Sequence, residues 1–228
     1  MKYSLITPKI EAQTTEIKRK IRLSMNGIVA DKMTQSGLIY KQNFGVSIPR
    51  IKEIASEYSP NHDLAKHLWN LQIRETMIMA SLLEPVEYFT KETAKKWIES
   101  FNQIEIIEQL TMNLFCKLSF ANLLVLEWIY STNIWTQITG FILAARITNR
   151  LSNDEINNII SKGLELSITD NLHLYKALGL CLSRLCRINK ETATSILKKI
   201  EHYSDNSVIS QQYISNEVKQ EILFLDIL

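Results

Sequence analysis

Apolar residues recur at spacings of three and four along almost the whole chain, and short polar segments separate the apolar stretches. This recurrence is typical of amphipathic helices, because an α-helix completes a turn about every 3.6 residues. Capping residues mark where the helices begin: Ser152 followed by Glu155 is the pattern of a capping box, and Pro49 suits the first turn of a helix capped at Ser47. The pattern predicts about twelve helices joined by short loops.

The predicted helices leave connections of mostly two to six residues. They span Ile10–Leu23, Ala30–Lys41, a helix begun by Ser47, a helix from Asn61 to Trp69, Gln72–Leu83, Lys91–Phe101, Ile104–Cys116, Ala121–Tyr130, Asn133–Arg150, Asn153–Leu166, Asn171–Arg187, Lys190–Tyr203 and Val208–Leu228. So many helices exceed what one bundle core holds, which favours stacked antiparallel pairs. The sequence therefore predicts one all-α domain over residues 1–228, without a β-sheet.

Composition excludes several classes of protein, and the distribution of charge favours an anionic partner. Six Gly and four Pro in 228 residues are too few for a disordered chain or for a fold with many tight turns. The net charge is only +2, but residues 1–52 carry ten Lys/Arg against three Asp/Glu, a net of +7, which leaves −5 for the remainder. One end of the protein is therefore electropositive.

Cysteine and histidine positions give no sign of a disulfide framework, a metal site or a cofactor. Cys116, Cys181 and Cys186 lie in apolar helical stretches and are expected to be buried, reduced thiols of a cytoplasmic protein. His62 and His67 are five residues apart, so they point away from each other on a helix and do not suit one metal ion. The N-terminus lacks the apolar run of a signal peptide, and no stretch reaches the ~20 apolar residues that cross a membrane.

Four groups of residues in register resemble the DNA alkylation repair family of AlkD-like glycosylases. They are the stretch Asn43–Arg50, the stretch Leu64–Leu71 with the pair Arg74-Glu75 after it, the helix start Asn133–Gln137, and the Lys-Ala-Leu-Gly sequence Lys176–Gly179. The resemblance covers about residues 25–200. It implies a superhelix of HEAT-like helical pairs whose basic concave face holds duplex DNA, and which excises cationic alkylated bases such as 3-methyladenine and 7-methylguanine without metal or cofactor.

The family's active-site residues are mostly replaced. Its chemistry leaves an oxocarbenium-like sugar, which a carboxylate and electron-rich aromatic faces stabilise. The family has a Trp-x-x-x-Asp pair, an Arg on the helix that begins Trp-x-Gln, and a second Trp after Lys-Ala-x-Gly. This chain has Ile104, Glu108, Ile138 and Leu180 at those positions. Glu108 is thus the candidate catalytic carboxylate, Glu105 is its one substitute, and we expect weakened or lost base excision.

The candidate DNA-binding residues are basic side chains together with one helix start whose backbone N–H groups suit a phosphate. They are Lys41, Ser47, Arg50, Lys52, Arg74, Arg146, Arg150, Arg184 and Arg187. Solvated helix faces carry the same pattern, so two functions remain open. One is a monomeric protein that binds duplex DNA, and the other is a non-enzymatic helical-repeat scaffold that binds a protein or peptide on its concave face. Neither function involves a membrane.

Overall fold

The structure, a computed structural model, describes residues 7–100, 102–204 and 207–226. Within these ranges it contains thirteen α-helices and no strand beyond an isolated parallel bridge between Gln42 and Ile73. The helices are α1 Pro8–Leu23, α2 Gly27–Gln35, α3 Ile48–Ser56, α4 His62–Asn70, α5 Arg74–Leu83, α6 Lys91–Glu99, α7 Ile104–Asn113, α8 Ala121–Trp128, α9 Ile134–Arg146, α10 Asn153–Glu165, α11 Leu172–Leu185, α12 Lys190–Lys199 and α13 Ile209–Leu225. The all-α prediction is confirmed for the described residues.

Side-chain caps begin several of the helices at the residues that the sequence marks. Asn61 accepts a hydrogen bond from the backbone N–H of Leu64 at 2.8 Å and so opens α4. At α10 the capping box is complete: the backbone N–H of Glu155 donates to Ser152 Oγ at 3.3 Å, and the backbone N–H of Ser152 donates to Glu155 Oε2 at 2.8 Å. Each cap satisfies N–H groups that the first helical turn leaves without a partner.

Several predicted helix boundaries are wrong. The helix predicted over Ile104–Cys116 ends at Asn113 and the one over Lys190–Tyr203 ends at Lys199, each followed by a 3₁₀ turn. The second helix is Gly27–Gln35 and not Ala30–Lys41, because Asn26 caps it three residues earlier and Gly37, at φ +86°, follows its end. The predicted helix Asn133–Arg150 ends at Arg146, and a separate 3₁₀ turn, Thr148–Arg150, follows. The predicted ends at Phe101 and Leu228 lie outside the described residues.

The chain divides into two compact units. Unit 1 contains the described residues up to Thr93 together with Gln103–Leu114. Its helices α4 and α5 are antiparallel neighbours, since the backbone N–H of Asn61 before α4 donates to the carbonyl of Leu83 at the end of α5, 2.8 Å away. The interior is aliphatic, and its fully buried side chains include Ile17, Ile21, Ile51, Ile54, Leu64, Leu68, Ile78 and Met79.

Unit 2 contains the described part of Ala94–Asn102 and the chain from Phe115 onward. Its helices α9, α11 and α13 lie side by side and run in the same direction, because rings at the start of one meet rings near the start of the next. Trp135 contacts His173 at 5.3 Å between ring centroids, and Tyr175 contacts Tyr213 at 5.2 Å. This three-helix layer supplies many of the buried side chains of unit 2, among them Ile138, Phe141 and Leu178.

The cysteines are free thiols, and two of the three lie where the sequence predicts. Cys181 and Cys186 are fully buried, and burial raises the pKa of both thiols to about 12. Cys116 is only half-buried, because it lies in a short 3₁₀ turn after α7 and not in a helix interior. In the described part of the chain, no helix combines the length and apolar character needed to cross a membrane.

Candidate nucleic-acid interface

The loop between α2 and α3 is held against the start of α5 by a buried carboxylate. Glu75 is 0% exposed, and its oxygens accept hydrogen bonds from the backbone N–H groups of Phe44 (3.1 and 3.2 Å) and Val46 (3.2 Å). Gly45 between them has φ +67°, and a Cβ there would lie 2.1 Å from the carbonyl oxygen of Asn26. Only glycine therefore fits this close approach of the loop to the start of α2.

Arg74 lies in the interior of unit 1, where its guanidinium is already bound. Its side chain is 4% exposed, and it donates to Glu105 Oε2 at 2.8 Å, to Glu105 Oε1 at 2.5 Å, to the carbonyl of Val46 at 2.8 Å and to Glu75 at 3.0 Å. These carboxylates raise the pKa of Arg74 despite its burial. Sequence alone made Arg74 a DNA-binding candidate, but this geometry gives it a structural role, and we do not retain it as a phosphate contact.

Of the other candidates of unit 1, three lie at or within α3 and Lys41 lies in the loop before it. Ser47 is exposed at the N-cap position, and no side chain caps the helix N-terminus that follows it. Arg50, in the first turn, is 39% exposed while its guanidinium contacts Glu53 at 2.7 Å and Ser24 Oγ at 3.1 Å. Lys52, on the same helix, and Lys41, in the preceding loop, are exposed. A helix N-terminus with these cations can bind an anion such as a phosphate.

Helix α7 carries the candidate catalytic carboxylate. Glu108 is exposed, and half-buried Ile104 lies one helical turn earlier on the same face. Glu105 is unsuitable as a substitute, because both of its oxygens bind Arg74 and Oε2 also accepts the hydroxyl of Tyr40 at 2.6 Å. Burial and the Glu105 carboxylate raise the pKa of Tyr40, so this hydroxyl remains a donor. Of the two candidate carboxylates, Glu105 is therefore bound within unit 1, and Glu108 lies at the surface.

The other two positions that the sequence aligns with the family's active site lie in unit 2 and are apolar there. Ile138 on α9 is 0% exposed, so the position at which the family has an arginine is part of the helix packing. Leu180 on α11, where the family has its second tryptophan, is half-buried. Neither side chain can stabilise a cation by charge or by an aromatic face.

Among the arginine candidates of unit 2, Arg146 is exposed at the end of α9, and the other three contact oxygen acceptors of the protein. Arg150 donates to the carbonyls of Cys116 at 2.8 Å and Leu118 at 2.7 Å, so it fixes the turn before α8. The other two share one carboxylate: Arg187 forms an ion pair with Glu221, and Arg184 lies 3.5 Å from the same oxygen. Their positive charge toward a phosphate is therefore partly neutralised.

One aromatic pair of unit 2 is missed by sequence reasoning. Trp135 and His173 are both half-buried, and their rings meet at 39°. Burial, with a smaller contribution from Lys176, lowers the pKa of His173, so this ring is neutral at pH 7. No sequence signal links these residues, because they lie 38 positions apart (173 − 135) on separate helices.

His62, in the histidine region set aside in the sequence, forms a hydrogen bond with a buried carboxyl group. His62 Nδ1 lies 2.7 Å from Glu84 Oε1, and the Glu84 side chain is 0% exposed. Burial raises the pKa of the Glu84 carboxyl, and the His62 hydrogen bond only partly opposes this. Among the described residues, no three His, Cys, Asp or Glu side chains are grouped so that they could hold a metal ion.

Comparison with known proteins gives one family and one fold. Residues 17–213 match the model of the family described as DNA alkylation repair enzyme. A solved structure from a new family of proteins related to the HEAT-like repeat DNA glycosylases, with affinity for branched DNA structures, superimposes with a TM-score of 0.77 at 13% identity, over 93% of this chain and 95% of that one. The HEAT-like fold predicted from the sequence is thus confirmed. Comparison with curated proteins gives no match.

Proposed function

The chain belongs to the DNA alkylation repair enzyme family, and we propose that it binds the phosphate backbone of DNA while having weakened or lost base excision. The supporting observation is the surface at the start of α3, where an N-terminus without a side-chain cap lies with half-buried Arg50 and exposed Lys52. Backbone N–H groups and cations together bind phosphates without reading sequence. Branched DNA is included among the ligands, since the structurally similar family has affinity for it.

The electropositive character of this region has a structural basis. Of the cations in residues 1–52, Lys20 is engaged by Glu16 at 2.9 Å and by Glu57 at 2.6 Å. Lys41 and Lys52 are exposed, and no ion pair is recorded for either within the described residues. The basic excess found in the sequence therefore reaches the surface near α3, where it attracts an anionic polymer.

Weak catalysis follows from what surrounds Glu108. Its carboxylate is exposed on α7, whereas stabilisation of a developing cation is strongest in a site that excludes water. The neighbouring position is aliphatic Ile104, which supplies no aromatic face. Each missing cation–π contact removes about 0.5–2 kcal/mol of stabilisation. We therefore propose that DNA binding is the retained function.

Binding to a short duplex over a range of salt concentrations tests this proposal. Affinity is expected to fall steeply with salt, with a log–log slope of about 0.9 per phosphate contact. Arg50→Ala and Lys52→Ala should each remove about one phosphate contact and so reduce the slope by about 0.9. Each should weaken binding equally for every DNA sequence. Lys198→Ala is the matched control, because it removes the same charge from an exposed position on α12. Absent or salt-insensitive binding would contradict the proposal and favour the scaffold that binds a protein or peptide.

A further inference from the structure

The turn between α1 and α2 exposes an unusual amount of apolar surface. Leu23, Met25 and Ile28 are 74%, 64% and 71% exposed, and the neighbouring Val29 is 39% exposed. Helix α2 has no buried residue, although its first turn is apolar. We call the surface of these four residues the apolar turn. Contiguous apolar surface of this kind on a folded protein marks a site of interaction.

The apolar turn adjoins the proposed phosphate-binding surface. Its four residues lie within seven positions of the chain, so they form one cluster at the end of α1 and the start of α2. Ser24, within the turn, accepts a hydrogen bond from Arg50 Nε at 3.1 Å, which joins the turn to the first turn of α3. Exposed Arg22 precedes it on α1. Apolar side chains are thus bordered by cations of the most basic part of the sequence.

This combination fits one class of ligand best. Phosphates suit the bordering cations, of which Arg22 is exposed and Arg50 is shared with Glu53, 2.7 Å away. The face of a base pair provides a flat apolar surface. Side chains such as Ile, Leu and Met are used by DNA-binding proteins as wedges against unstacked base steps. A continuous duplex hides its base faces within the stack, whereas a nick or a branch point exposes them. A second copy of the chain is a poorer occupant, because a symmetric contact would bring the same cations together.

We propose that the apolar turn packs against the base-pair face exposed at a discontinuity in DNA, while Arg50 holds the adjacent phosphate. The inference rests on the proposed function, since it adds a preference among DNA structures to backbone binding. Met25 and Ile28 are the principal contacts, because both are largely exposed and lie on either side of the Asn26 cap. The protein is expected to bind nicked and branched duplexes more tightly than a continuous duplex of equal length and charge.

The test compares the native full-length protein with the double variant Met25→Ser/Ile28→Ser. Both side chains lie outside the core, so the variant should keep its fold, which circular dichroism and thermal unfolding verify. The matched control is Leu223→Ser/Phe224→Ser, which removes two 80% exposed apolar side chains from α13. Affinities are measured for a continuous duplex, a nicked duplex and a three-way junction at one salt concentration. A fluorescent base analogue beside the nick reports any change in stacking.

The native protein and the α13 control are expected to prefer the discontinuous DNAs by about tenfold, which corresponds to ~1.4 kcal/mol. Met25→Ser/Ile28→Ser should abolish that preference and the fluorescence change, and keep affinity for the continuous duplex. Arg50→Ala should weaken binding to all three DNAs. A preference that survives in the apolar-turn variant would overturn this inference alone. If the variant instead loses self-association or binding to anionic vesicles while its DNA preference is unchanged, the inference is overturned. The apolar turn would then contact a second copy of the chain or a lipid surface. If the native protein binds none of the DNAs, this inference and the proposed function both fail.

Discussion

Replacement of Arg74 by alanine tests whether this residue stabilises unit 1 or contacts DNA. In the structure it makes four side-chain hydrogen bonds: two to Glu105, one to Glu75 and one to the carbonyl of Val46. Arg74→Ala removes all four and leaves two carboxylates, 0% and 18% exposed, without their common cation. The perturbation is therefore loss of one partner from a buried ion-pair network.

The expected magnitude follows from what each carboxylate retains. Removing one partner of a buried pair costs about 3–5 kcal/mol, because the other charge remains buried. Glu75 still accepts the backbone N–H groups of Phe44 and Val46, and Glu105 still accepts the Tyr40 hydroxyl. We therefore expect the lower end, about 3 kcal/mol, which for a chain of this size lowers Tm by about 6–12 °C. Arg74→Ala/Glu105→Gln should be less destabilised than Arg74→Ala, since it removes one of the unpaired charges.

Thermal unfolding by circular dichroism measures the loss, and hydrogen exchange locates it. Exchange should accelerate at the amides of Phe44 and Val46, which the network holds. Arg50→Ala is the control, because Arg50 is 39% exposed and should affect stability by less than about 1 kcal/mol while it weakens DNA binding. The structural role would be refuted if Arg74→Ala lost less than about 1 kcal/mol of unfolding free energy and also reduced the salt dependence of DNA binding.

Three further predictions concern the candidate carboxylate, helix packing and pH. Release of 7-methylguanine from alkylated duplex DNA should be absent, or slower than in an intact family member by about one to three orders of magnitude. Any release should fall in Glu108→Gln. Unchanged release in that variant would exclude Glu108 as the stabilising carboxylate. Gly140→Ala should destabilise by about 1–3 kcal/mol, because a Cβ there would lie 2.9 Å from the backbone nitrogen of Ile129, whereas at Gly163 it would find its nearest contact at 3.7 Å. Gly163→Ala should therefore be neutral or stabilising in the same urea titration. The raised pKa of Glu84 means that its contribution to stability is present below the ordinary carboxyl value of about 4.3 and is lost as pH rises through the folded-state value. Glu84→Gln should consequently gain stability relative to the native protein between pH 4 and neutral pH, and a relative loss over that range would contradict the burial argument.

The residues that carry the family resemblance hold the fold together. Asn133 caps α9 by accepting the backbone N–H groups of Trp135 and Thr136, and Gln137 donates to the carbonyl of Ile129 at 3.0 Å, which ties α9 to α8. Gly179 allows α13 to approach, since a Cβ there would lie 3.0 Å from the Tyr213 ring. These residues cap a helix, join two helices or allow their close approach, so their roles are structural.

Sequence by itself determined the helices and most of their beginnings, because periodicity and capping are local properties of the chain. It also located the basic N-terminal segment, whereas its assignment of the family's active-site positions stays a prediction. It failed at the end of the second helix, where Gly37 terminates it before the predicted Lys41. The apolar spacing continues beyond Gly37, so spacing alone does not show that the helix ends before this glycine.

Only the tertiary structure decided which charged residues are available to a ligand. Arg50 and Arg74 are the same residue type and both belong to unit 1, yet one side chain is 39% exposed and the other 4%. The difference arises because Glu105, 31 positions beyond Arg74 (105 − 74), folds back and binds its guanidinium. Burial of a charge requires a partner, and when that partner is distant in sequence, no local pattern reveals it.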